Sequence, residues 1–158
     1  MEREQSMRKY LKDVLSWQDA HLNFESAVKD LPKEYRGKKP EGFPYSIWQL
    51  VEHIRIAQWD ILDFARNPDY EEHTWPDDHW PVEVAPPDDD VWDNSLQAIR
   101  DDRQKFIQLL DDPEFDLFKP FEHGTGQTLF RQAILIADHT AYHVGQIVLL
   151  RKIFDNNK

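Results

Sequence analysis

The side chains best suited to bind a metal or move a proton in this 158-residue sequence are its seven histidines, for there is no cysteine. His139 and His143 stand four residues apart in an apolar stretch. On a helix that spacing places both on one face, about 6 Å apart along the axis, where they can chelate an ion. Ile136, Ile147, Leu150 and Phe154 share the face, so both imidazoles are expected to point inward. His53 holds the matching position in an earlier stretch, between Leu50 and Ala57. Three inward histidines on two helices can converge on one divalent ion through neutral nitrogens and leave a coordination position open. The same pattern also suits hydrogen-bonded core histidines, and spacing alone leaves both readings standing.

Other chemistries are excluded more firmly. Without cysteine there is no disulfide framework, thiolate nucleophile or iron–sulfur cluster, and any protein-bound metal must use His, Asp or Glu. The zinc-peptidase helix His-Glu-x-x-His is absent, because Thr140 follows His139 and no Glu fills the general-base position. The net charge of −11 sets a repulsive field against polyphosphates, so no nucleic-acid partner is expected.

The histidines need helices to hold them, and four stretches carry helical periodicity. In the first, Met7, Leu11, Val14, Trp17, His21, Phe24, Val28 and Leu31 recur at three- and four-residue steps, predicting one helix that ends near Pro32. The second starts at Ser46, with Gln49 three residues on as in a capping box, and stops at Asn67-Pro68. The third runs from about Asp88 to Asp112, its acidic start suited to the positive end of a helix dipole, and the fourth begins near Thr128. With no sustained period-two alternation, the expected fold is all-α: a single domain, 1–158, forming a four-helix bundle with long connecting loops. The loops at 67–87 and 113–127 hold many of the aromatic residues and are expected either to seal the bundle ends or to wall a pocket. Uninterrupted apolar runs reach only five residues, as at Ala133 to Ala137, and the charged start lacks the apolar core of a signal peptide, so no membrane partner and a cytoplasmic location are expected.

Several further residues are candidates for the surroundings of the histidines. Gln146, close after His143, could fix the tautomer of a ligand ring, and Asp138 could do the same for a histidine of another helix. His21, on the first stripe, reads first as a hydrogen-bonded core histidine and otherwise as a fourth ligand or substrate contact. Arg103, between Ile99 and Phe106, could grip a carboxylate if it faced the cavity, although snorkelling to the surface is the commoner outcome for such a side chain. Gly145 suggests a close approach of a helix or substrate beside His143. His73, His79 and His123 fall in loops and read as surface residues unless a lid carries one over the site.

The segment Asp138-His139-Thr140-Ala141-Tyr142-His143-Val144-Gly145-Gln146 resembles the His-x-x-x-His-x-Gly-Gln pattern in the last helix of the DinB/YfiT-like superfamily. Trp48-Gln49-Leu50-Val51-Glu52-His53-Ile54 is similar to the second-helix motif of that family. The resemblance implies a four-helix bundle, a homodimer, and a divalent metal held by His53, His139 and His143. It also implies two chemistries on a small-molecule substrate: transfer using a low-molecular-weight thiol as cosubstrate, or hydrolysis. Zinc is the first expectation, while nickel, iron, manganese and copper also suit three imidazoles. No side chain stands out as general base, so metal-bound water or thiolate would take the catalytic role. The competing expectation is a non-enzymatic module in which a structural metal fastens two helices.

Overall fold

Capping residues and prolines divide the chain into α1 (Glu2–Val14), α2 (Phe24–Val28), α3 (Lys33–Arg36), α4 (Ile47–Arg66), α5 (Asp89–Asp111) and α6 (Leu129–Asn156). This computed structural model describes residues 2–156, so Met1, Asn157 and Lys158 of the expected 1–158 domain lie outside the described residues. The capping box forms as expected: Ser46 Oγ accepts from the Gln49 backbone N–H and Gln49 Oε1 accepts from the Ser46 N–H, both at 3.1 Å. Asp88 caps α5 by accepting from the Val91 N–H at 2.8 Å. The protein is all-α, without a strand among the described residues.

The first expected helix is broken. In place of one element from Met7 to Leu31, α1 ends at Val14 and α2 begins after Asn23. Asn23 Oδ1 accepts from the Ser26 N–H at 3.0 Å while its Nδ2 donates to the Ser16 carbonyl at 3.2 Å. Short polar side chains thus offer the backbone an alternative to the helical ladder, and the apolar period runs through a loop. Trp17, placed on the buried stripe by that period, is 43% exposed.

α4 packs against both α5 and α6, and α1 lies against α5 and α6. The core divides into two apolar clusters. One gathers Leu50, Ile54, Ile99, Val144 and Ile147, and the other gathers Leu11, Leu62, Phe106, Leu129 and Ile136. Polar residues interrupt the core between them: His53 and His143 are buried there, as is Gln58, whose Nε2 donates to the Ile99 carbonyl at 2.6 Å. α6 is the one described helix long and apolar enough, by length and composition, to cross a membrane. It passes that test because its polar residues are scattered among apolar ones, which a search for uninterrupted runs overlooks. In the fold it is the helix that α4, α2 and α1 pack upon.

The two long loops serve opposite ends. Residues 67–87 fold back along α4 to its N-terminal end, where the Val84 carbonyl accepts from the N-cap Ser46 Oγ at 2.5 Å. Gly37 admits this loop, since a Cβ there would stand 2.4 Å from that of Ala85. Residues 113–127 instead close the far end. Leu117 is fully buried, the Phe130 N–H donates to its carbonyl at 2.9 Å, and His123 Nε2 bonds the Phe64 carbonyl at 2.8 Å. Phe64 lies eleven residues beyond His53, about 16 Å along the helix axis, so this second loop walls no pocket at the histidines.

Candidate metal centre

Helical spacing brings His139 and His143 together, with ring centroids 4.5 Å apart, and the packing of α4 on α6 brings His53 to both. Its ring centroid is 4.8 Å from that of His139 and 4.6 Å from that of His143. One nitrogen from each of the three lies within 4.8 Å of the others, and the set can hold a metal ion.

The outer nitrogens settle which atoms face inward. His53 Nδ1 lies 2.6 Å from the His79 carbonyl, an acceptor, so this nitrogen carries the proton and Nε2 keeps its lone pair. His143 Nδ1 lies 2.7 Å from Gln146 Oε1, with the same consequence. His139 Nε2 is 3.0 Å from His53 Nε2. Nitrogen ligands around one ion at about 2.0 to 2.1 Å stand roughly 3 Å or slightly more apart, so this spacing is also that of two ligands sharing a cation. The donor set therefore fits a divalent metal: two lone pairs are already aimed inward and a third nitrogen is at ligand spacing.

Burial keeps these rings uncharged. It pushes His53 down to about 4, reinforced by His143 and His79 and opposed by the hydrogen bond to the His79 carbonyl. Burial likewise pushes His139 down to about 3, with His143, His53 and His79 adding to it. His143 is also lowered by burial, against the pull of Gln146. At neutral pH all three are in the form that binds metal.

Above the histidines lies an open cavity of about 780 Å³. Its walls come from the 67–87 loop (Trp75, Trp80, Val82), from Tyr45, and from Tyr142 on α6. Trp80 stacks on His53 at 3.8 Å and 6°, and on Tyr45 at 3.9 Å and 13°. The loop thus fixes the orientation of His53 twice, through an indole face and a backbone carbonyl.

Gln146 is in contact with the site, whereas three other candidates are elsewhere. His21 is exposed in the connection between α1 and α2, its Nδ1 2.9 Å from the Leu22 carbonyl, because the helix expected to carry it inward stops at Val14. Arg103 grips a carboxylate, but that of Glu25 at 2.7 Å, which also receives Arg100 and ties α2 to α5. Asp138 is exposed and lines a separate apolar groove between α6 and residues 14–24, because it projects from the outer side of α6. Apart from its own helix, nothing among the described residues comes within 4 Å of a Cβ built on Gly145, so no close approach explains it here. His79, read as a surface residue, is largely covered and lies between the site and Asp60, its Nε2 3.7 Å from Asp60 Oδ2. Spacing gave no signal for its carbonyl as a partner of His53, since loop backbone has no period.

A family model described as the DinB superfamily matches residues 17–147, from the α1–α2 connection into α6 and across all three histidines. The chain belongs to the DinB superfamily. No curated protein and no solved structure matches it at a significant level. Within this DinB-superfamily chain, the matched span contains both histidine motifs and the whole 67–87 loop that covers them.

Proposed function

We propose that this DinB-superfamily protein is a metal-dependent enzyme acting on a small molecule, of the thiol-transferase or hydrolase type, with His53, His139 and His143 as ligands. The observation that carries the reading is the pairing of inward-facing histidines with a cavity open to solvent directly above them. A metal buried for structure alone needs no such opening. When bound, a divalent ion, zinc being the first candidate, would supply Lewis acidity and lower the pKa of a water or thiol. The chain's own residues do the rest. Gln146 and the His79 carbonyl hold two ring tautomers, Trp80 clamps His53, and the aromatic walls exclude water from an organic substrate.

Elemental analysis of the purified protein, followed by thiol-conjugation and ester-hydrolysis screens with and without chelator, tests this. Metal retained through dialysis and turnover lost on chelation are the expected results. Tightly held metal with no chelator-sensitive turnover would favour the structural reading instead, in which the ion fastens α4 to α6; the location of the ligands on those two helices supports that reading equally.

We read α1, α4, α5 and α6 as the four helices of a bundle that pairs with a second copy. Support comes from the outer face of α6, where Ile134 and Leu149 are half exposed and Ala141 and Gly145 leave room for a close helix. Light scattering is expected to give about twice the 18.9 kDa chain mass, and Leu149→Arg to give the monomer. A monomeric native protein across a wide concentration range overturns this.

A further inference from the structure

The cavity above the histidines has an unusual lining for a site read as taking a low-molecular-weight thiol. Tyr45, Trp75, Trp80 and Tyr142 supply aromatic walls, and no Lys or Arg lines it among the described residues. Gln146 is a neutral hydrogen-bonding side chain there, and its Oε1 is engaged by His143. Trp80 already stacks on Tyr45 and His53. Trp75 and Tyr142, by contrast, are 67% and 65% exposed, leaving aromatic surface free at the opening. Asp77 lies on the same lining, and its carboxylate has no hydrogen bond or ion pair among the described residues.

These features favour one sign of charge. Aromatic faces carry negative potential and attract cations. An unpartnered carboxylate does the same, and the protein's net charge of −11 adds a field of that sign. A carboxylate or phosphate at the mouth would find no Lys or Arg on the lining among the described residues.

We propose that this pocket takes an amine-bearing small molecule with an apolar or aromatic body, its ammonium at Asp77 and its body against Trp75 and Tyr142, and discriminates against carboxylate-bearing ligands. The proposal rests on reading the cavity as the substrate site, and it narrows that reading. A thiol cosubstrate, where one is used, would carry an amine without carboxylates, and an acidic thiol such as glutathione would be a poor ligand. The end opposite the ammonium would point to the histidines.

Calorimetric titration with three probes of similar shape tests the charge preference: phenethylammonium, phenethyl alcohol and hydrocinnamate. Each is titrated into metal-loaded and chelated protein, because a carboxylate can ligate a metal directly. In chelated protein the ammonium probe is expected to bind about tenfold more tightly than the carboxylate, with the alcohol between. Asp77→Asn is expected to weaken the ammonium probe about threefold and leave the alcohol unchanged, while Trp75→Ala weakens all three. Equal binding of ammonium and carboxylate in chelated protein, no effect of Asp77→Asn on the ammonium, or no binding of any probe overturns the proposal. Metal content measured on the same samples separates the two ideas. A protein that takes no metal yet prefers the ammonium refutes the enzyme reading alone, and one that holds metal without that preference refutes this inference alone.

Discussion

His143→Ala is expected to leave the protein without bound metal while its helices remain. The ring supplies one of three nitrogens, and Gln146 orients it from outside. With two ligands left on two different helices, affinity should fall by well over a hundredfold, since losing even a partner of a ligand typically costs about 10- to 100-fold. The two apolar clusters do not include His143, so the helical circular dichroism should persist. Loss of a 5%-exposed side chain and its hydrogen bond should still lower stability by about 1 to 3 kcal/mol. Gln146→Leu isolates the orienting role: metal affinity should drop about 10- to 100-fold, with all three ligands intact. Elemental analysis after dialysis against a weak chelator checks both. An unchanged metal content in His143→Ala would remove the three-histidine site from consideration.

The sequence made this site legible to different depths. Helix period and inward position are local properties, so His139 and His143 could be paired from spacing alone, and His53 could be placed on a second buried stripe. Gln146 was legible for the same reason, since it lies one turn from its partner. The 67–87 loop was visible only as an aromatic-rich segment. Which of its atoms reach His53 depends on how Gly37 and Ser46 fasten its far end, a tertiary fact with no periodic signature. His21 and Arg103 failed for a related reason. Apolar spacing continues through residues 15–23 as it would along one helix, although Asn23 followed by Phe24-Glu25-Ser26 carries a capping signal that starts a new helix. Arg103, expected to grip a ligand carboxylate only if it faced the cavity, instead pairs with Glu25, which the docking of α2 on the bundle brings near.

Acid should destabilise the metal-free protein between about pH 6.5 and pH 4, and the three histidines should be the main cause. In the folded chain His53 titrates near 4 and His139 near 3, with His143 also lowered, while in the unfolded chain each returns to about 6.5. Above pH 6.5 both states hold the rings neutral and no stability difference arises. Below it the unfolded chain binds protons that the folded chain refuses, so stability falls with pH. A fully shielded group of this kind loses about 1.4 kcal/mol per pH unit below 6.5, and these rings lie close beneath an open cavity, which reduces the effect. Roughly 2 kcal/mol in total between pH 7 and pH 5 is the expected loss. Protonation of carboxylates over this range also relieves the repulsion of an acidic chain, an opposing effect that a variant can cancel. His139→Gln keeps the other charges while removing one of the titrating rings. Urea unfolding of chelated protein at both pH values should therefore show a smaller acid loss in this variant than in the native chain. Parallel losses in the two proteins would assign the acid sensitivity to other groups. Loading with metal should deepen the native protein's pH dependence, because protons then compete with the ion for the same inward nitrogens.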